Sequence, residues 1–199
     1  MFDFKKLERA GSGGFRIVFV HPDDSKKAVK ICRSGFKSNH RKCLQMMRDE
    51  IKAAQIFPNL FPKVYFHTDD FEVLIVERAK VLLSNNQDKL ISDYFPELRG
   101  YFIKSTESDF FEFIRRILDQ IYKNTRYDTG AYDAYAYFQT SPRKVVRKAL
   151  SGRLFRDIHD AIIELNIDYS DIDWGNTGLS TLDNRFLIID ASMYSGFEA

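Results

Sequence analysis

The sequence predicts an α+β fold, rich in strands up to residue 79 and mainly helical from residue 80 onward. Three observations predict it. The first half carries short β-branched and aromatic runs separated by Gly, Pro and Asp clusters, the pattern of strands and tight turns. The second half carries apolar residues at helical spacing. And 199 residues can bury a substantial core, as one domain or as two lobes too small to stand alone.

Residues 4–10 and 15–20 read as two strands, with Gly11-Ser12-Gly13-Gly14 as the turn between them. His21-Pro22-Asp23-Asp24-Ser25 is a second turn, and Lys26 to Cys32 a third strand. Cys43, Met46, Met47, Ile51 and Ala54 predict a helix over 39–56, stopped by Pro58. Strands follow at 63–68 and 72–78, split by Asp69-Asp70. Farther on, Phe110, Phe111, Ile114, Ile117, Leu118 and Ile121 predict an amphipathic helix over 107–123. Ser141-Pro142 is an N-cap followed by proline at the first helical position. The helix it opens continues to about Leu165, with Gly152 a point of break or bend. Asn166 suits the left-handed conformation that ends such a helix. A turn is expected after Asn176, then an apolar strand, Phe186-Leu187-Ile188-Ile189, ending in Asp190.

Composition excludes several classes of function. With 44% hydrophobic and 29% charged residues, the chain is of the ordinary globular kind. No stretch approaches the roughly 18 apolar residues of a membrane span, so no membrane partner is expected. Thirty Lys and Arg against 28 Asp and Glu leave a net charge of +2, too balanced for nucleic acid to be the main partner. The start, Met1-Phe2-Asp3-Phe4-Lys5-Lys6, lacks the basic-then-apolar order of a signal peptide. Cys32 and Cys43 lack C-x-x-C spacing, and the four His residues are scattered. A disulfide scaffold or zinc site is therefore not expected, and the cysteines read as reduced thiols in a cytoplasm. The alternative is export by a route without a cleaved signal.

Three stretches carry chemistry. Gly11 to Val18 is a glycine-rich strand–turn–strand in which the backbone could approach a polyphosphate; a plain tight hairpin is the structural alternative. Ala28-Val29-Lys30 places a lysine inside an apolar strand, where an unpaired charge is costly. Glu50, twenty residues on and within the helix, is a credible partner; a solvated lysine and a surface glutamate are the alternative. Near the C-terminus, Asp171 stands five residues before Asn176, and Asp190 follows a buried strand. Phosphoryl transfer needs one carboxylate near the attacking hydroxyl and oxygen ligands for a metal on the phosphates.

Taken in order, these stretches resemble the protein-kinase fold. Ala10 to Val18 resembles the kinase glycine-rich loop, Ala28-Val29-Lys30-Ile31 its strand lysine motif, and Glu50 the helix glutamate that holds that lysine. Leu74 to Ala79 resembles the hinge, with Val76 as gatekeeper and the Glu77–Ala79 backbone at adenine. Tyr169-Ser170-Asp171 to Asn176 stands in place of the catalytic loop, and Asp190-Ala191-Ser192 in place of the metal-binding D-F-G. The resemblance runs from about residue 7 to residue 192. More narrowly, Gly11 to Ile31 is similar to the YrbL family of small bacterial kinase-like proteins.

The resemblance implies a bilobal protein-kinase-like fold with an N-lobe over 1–79 and a truncated, mainly helical C-lobe over 80–199. It implies ATP and Mg as cofactors. ATP would meet Gly11, Ser12, Gly13, Gly14, Phe15, Val18, Ala28, Lys30, Glu50, Val76, Glu77 and Ala79. Asp171 and Lys30 would be catalytic, and Asn176 and Asp190 would hold metal. The favoured activity is a minimal protein Ser/Thr kinase, a monomer with a protein substrate. A small-molecule kinase or a nucleotide-binding pseudokinase is the alternative.

The departures from the family pattern are specific. Arg16 replaces the third loop glycine, so its side chain closes over the nucleotide or faces solvent. Tyr169-Ser170 replaces His-Arg, Asp173 stands where a phosphate-facing Lys is usual, and Ala191-Ser192 replaces Phe-Gly. With nine residues after Asp190, a full activation segment is not expected. Arg143, Lys144, Arg147, Lys148, Arg153 and Arg156 read as a solvated basic helix face. Tyr127, Tyr132, Tyr135 and Tyr137 read as packed aromatics, and Trp174 as a wedge holding its loop against helices.

Overall fold

The computed structural model describes residues 3, 6–12, 14–33, 37–126 and 142–190. Gly13, the four tyrosines between 127 and 137, Ser141 and Ala191-Ser192 lie outside the described residues. The architecture is α+β, in two compact units. The first holds the chain up to Val81 and takes it back from Gly178 onward; the second is Leu82–Thr177.

In the first unit, β1 (Arg9–Ser12), β2 (Arg16–His21), β3 (Asp24–Cys32), β4 (Val64–His67) and β5 (Val73–Glu77) form an antiparallel sheet in the order β1-β2-β3-β5-β4. Helix α1 spans Lys37–Ile56 between β3 and β4. Expectation and structure agree on three strands, a helix and two strands. The first strand differs: it begins at Arg9 and takes Gly11 and Ser12 into the ladder, opposite Val18 and Ile17. Register pairs Arg16 with Cys32, Val18 with Lys30 and Ala28 with Val76. Side chains paired across an antiparallel ladder share a face, and alternate residues along a strand share it too. Arg16, Val18, Ala28, Lys30, Cys32, Leu74 and Val76 therefore line one face. Cys43 and Met47 of α1, both fully buried, pack in one core cluster with Ala28, Leu74 and Val76 of that face.

Three short strands complete this sheet region: β6 (Ala79–Val81), β7 (Thr177–Ser180) and β8 (Phe186–Ile188), in the order β6-β7-β8. The turn expected after Asn176 is thus strand β7. Gly178 permits it, because a Cβ there would come within 3.0 Å of Ala79 Cβ and of the Lys80 carbonyl oxygen. Ile188 N donates to Leu60 O at 2.9 Å, fixing β8 to the turn after α1.

The second unit is helical: α2 (Gln87–Tyr94), α3 (Arg99–Phe102), α4 (Phe110–Arg126), α5 (Pro142–Ser151) and α6 (Arg153–Leu165). Phe95, Phe102, Phe110 and Phe113 form its aromatic centre, with ring centroids 5.1–6.1 Å apart. Gly152 is extended and separates α5 from α6, and Asn166 sits at φ 52° as the expected left-handed cap. The basic residues of α5 and α6 are exposed. No helix among the described residues is long and apolar enough to cross a membrane.

The cysteines correct the sequence expectation. Cys32, the last residue of β3, and Cys43, in α1, form a disulfide with Cα atoms 5.7 Å apart. Spacing along the chain does not show this, because the strand-to-helix crossover brings Cys43 back over the face that carries Cys32. Such bridges persist in oxidising surroundings rather than in a reducing cytoplasm. The bridge closes a loop with a sequence separation of 11, for which a stabilisation of about 3 kcal/mol is expected. The Cys32→Ser/Cys43→Ser variant should show a correspondingly lower thermal midpoint. Dithiothreitol should lower the wild-type midpoint to that of the variant and leave the variant unchanged; a wild type indifferent to reductant would show that the bridge does not form in solution.

Candidate functional site

Lys30 lies mid-strand in β3, only 7% exposed, and its ammonium donates to Glu50 Oε1 and, at 2.9 Å, to the Ile189 carbonyl oxygen. Glu50 faces it from α1. The expected lysine–glutamate pair is formed. Arg16, the first residue of β2, completes the group. Its Nη1 lies 3.1 Å from Glu50 Oε1, and its Nη2 donates to Asp190 Oδ1. Of the two orientations expected from sequence, the solvent-facing one is excluded, because the side chain is only 4% exposed. Lys30, Glu50, Arg16 and Asp190 thus form one ionic cluster from β2, β3, α1 and the segment after β8. Burial alone would lower the Arg16 pKa, but Glu50 and Asp190 outweigh it and raise it. Burial alone would raise the Glu50 pKa, but Arg16 and Lys30 outweigh it and hold the carboxyl below its ordinary value.

Around the cluster, Lys30, Glu50, Phe61, Val76, Ile188 and Asp190 line a recess of about 10 Å³, on the order of one water. A larger cavity of about 570 Å³ runs along β4 and the last turns of α1 and contains no candidate residue. Gly11 lies in β1 and Gly14 in the turn before Phe15 and β2. Neither has a positive φ, and a Cβ on either would meet nothing within 4 Å. β1 and β2 do form a hairpin, the structural alternative, though the backbone at Gly11 and Gly14 does not require glycine.

Val76 and Glu77 end β5 and Ala79 begins β6. Glu77 proves to be a buried hub: its carboxylate accepts from Ser180 Oγ, from Arg185 Nη2 and, at 3.1 Å, from Lys63 N. The sequence marks Glu77 only for its backbone, by resemblance, and gives no sign that its carboxylate is a buried hub. Thr181 N donates to Arg78 O at 3.1 Å and Leu82 N to Thr177 O at 3.1 Å. With Ala79 opposite Ser180, alternation of antiparallel pairs turns the N–H and C=O of Ala79 away from β7.

The second unit holds the loop with Asp171 and Asn176. Asp168 accepts from Ser170 N at 2.9 Å and opens the turn Tyr169–Asp171. Asp173 Oδ1 accepts from Asn176 N at 2.9 Å, and Asn176 Nδ2 donates to Asp171 O at 2.9 Å. The acidic residue at 173 is thus engaged in the loop's own turn. Trp174 is the expected wedge, donating from Nε1 to Asp109 at 2.5 Å and meeting Phe111 edge-on at 4.6 Å. Tyr169 stacks on Tyr122 and donates to Asp119 at 2.5 Å; burial and that carboxylate push its phenol pKa up. Among the described residues, no group of three or more His, Cys, Asp or Glu side chains is placed to hold a metal ion.

No protein-family model matches the chain, and no curated protein matches it.

The Glu50 environment predicts an acid-sensitive fold. Because its folded pKa lies below the unfolded value, Glu50 contributes stability that is complete above the ordinary value of 4.5 and is lost as pH falls through the folded pKa. In urea titrations at a series of pH values, Glu50→Gln should be less stable than wild type at neutral pH, and the gap should shrink below about pH 4.5. A gap that stays constant down to pH 3 would separate Glu50 from the acid transition.

Proposed function

We propose that the chain is an ATP-dependent phosphotransferase of the protein-kinase type, with a protein Ser/Thr hydroxyl as the favoured acceptor. The observation that carries this reading is Lys30, buried in an apolar strand and ion-paired to Glu50 beside Asp190. A lysine so placed is fixed in direction, which suits a phosphate contact better than a flexible surface lysine would. ATP fits these residues: Lys30 supplies charge, Gly11 and Gly14 leave backbone open to a phosphate, and Ala79 presents outward backbone groups for a base. In the transfer, the acceptor oxygen bonds to the γ-phosphorus, the bond to the β-phosphate oxygen breaks, and Asp171 receives the hydroxyl proton.

Magnesium does not fit Asp190 as it stands, because its Oδ1 is held by Arg16. No step is therefore routed through a metal. The same Arg16 contact favours a second reading, a protein that binds nucleotide without transferring phosphate.

The test is γ-labelled ATP with the purified protein, alone and with cell lysate, beside binding of a fluorescent ATP analogue. Wild type should transfer label. Asp171→Asn should lose transfer by a factor of about 100 or more and keep nucleotide binding. Lys30→Met and Glu50→Gln should each weaken both, and the double variant should lose less than the summed free energies, because the two side chains act as one unit. Binding without transfer in wild type would favour the second reading; absence of binding would remove both.

A further inference from the structure

Arg16 is not placed like a loop residue that swings. It opens β2, its backbone is registered against Cys32, and its side chain shares the sheet face of Val18 and Lys30. Both ends of its guanidinium meet carboxylates, Glu50 and Asp190. Glu50 Oε2, in the same cluster, is buried without a hydrogen-bond donor. Two cations and two carboxylates balance. A divalent ion at Asp190 would stand directly against the buried Arg16 guanidinium, which already holds that carboxylate. A phosphate oxygen that takes the place of the Asp190 carboxylate at Arg16 would meet an arginine fork and, nearby, a lysine, both fixed, with the geometry that phosphate oxygens accept.

We propose that Arg16 is the resident cation of this nucleotide site: it occupies Asp190 in place of a divalent ion and, with Lys30, offers its charge to the phosphates, so that a nucleoside triphosphate binds without divalent metal. This rests on the nucleotide reading above. It makes Arg16 a specificity-determining residue, one that selects metal-free nucleotide.

The experiment compares the affinity of a fluorescent ATP analogue in EDTA and in excess magnesium, and follows Mn²⁺ by electron paramagnetic resonance without nucleotide. Wild type should bind the analogue equally within about twofold in the two buffers and leave Mn²⁺ free. Arg16→Gln should lose about tenfold or more in EDTA, regain affinity with magnesium, and bind Mn²⁺. A wild type that needs magnesium by about tenfold, or an Arg16→Gln variant that matches wild type in both measurements, would overturn the proposal. If the analogue binds under no condition, the nucleotide reading fails by itself. Mn²⁺ then still decides whether Arg16 excludes a divalent ion: wild type and Arg16→Gln binding Mn²⁺ alike would refute that. Should Arg16→Gln not fold, Asp190→Asn decides. It frees the guanidinium and removes a negative charge, so affinity in EDTA should rise; a loss of affinity seen only with magnesium would mark Asp190 as a metal ligand and overturn the proposal.

Discussion

Two cations and two carboxylates, supplied by β2, β3, α1 and the segment after β8, constrain the whole first unit. Arg16, Lys30 and Glu50 are largely buried, where a charge is costly unless paired, and removing one partner from a buried pair costs about 3–5 kcal/mol. The cluster thereby selects among arrangements that apolar packing alone would allow. A one-residue slip of β2 against β3 would turn Arg16 to the opposite face from Lys30. A rotation of α1 by one residue would carry Glu50 about 100° away from both. The bond from Lys30 to the Ile189 carbonyl adds the returning chain to the same constraint.

The disulfide runs parallel to this ionic link. Cys32 lies two residues beyond Lys30 on β3, and Cys43 lies seven residues before Glu50 on α1, two helical turns along nearly the same side. Met47 fills the space between them and is fully buried. One covalent and one ionic link therefore join the same strand to the same helix, with an apolar contact between. The bridge limits the sliding and rotation of α1 that would separate Glu50 from Lys30. A helix held at two points along its length has little freedom left to act as a switch.

Much of the first unit was legible because its signals are local. Glycine and Pro-Asp turns bound the strands, Pro58 ends α1, and the apolar strand around Lys30 demanded a partner for its charge. The cluster's fourth member was not legible as a contact. Arg16 reads both as the replacement of a loop glycine and as part of the strand over 15–20, and its alternation with Val18 puts it on the Lys30 face only once the hairpin register is known. The disulfide was missed for a related reason, since spacing rules cannot see a crossover. In the second unit, Phe110 to Ile121 declared α4 by periodicity, while α2 and α3 are short and carry few buried residues. Thr177–Ser180 falls within the turn expected before Phe186, but it is a strand, where Gly178 admits the β6 backbone, and the turn follows it.

Glu77 shows how a buried polar residue can fix the backbone around it. It ends β5, and its carboxylate is committed to Ser180, Arg185 and Lys63 N. Arg78 is held from both directions, donating its N–H to Lys26 O at 2.8 Å and accepting from Thr181 N and Oγ1. Residues 77 and 78 therefore have little conformational freedom, and the ladder places the Ala79 backbone groups on the opposite edge from β7. A loop of ordinary flexibility would have to order those groups on binding, at roughly 1–2 kcal/mol for each backbone residue fixed. Here folding has already ordered them. The carboxylates of this unit consequently divide by partner: Glu77 fixes backbone through neutral and cationic donors, whereas Glu50 and Asp190 fix the two cations Lys30 and Arg16.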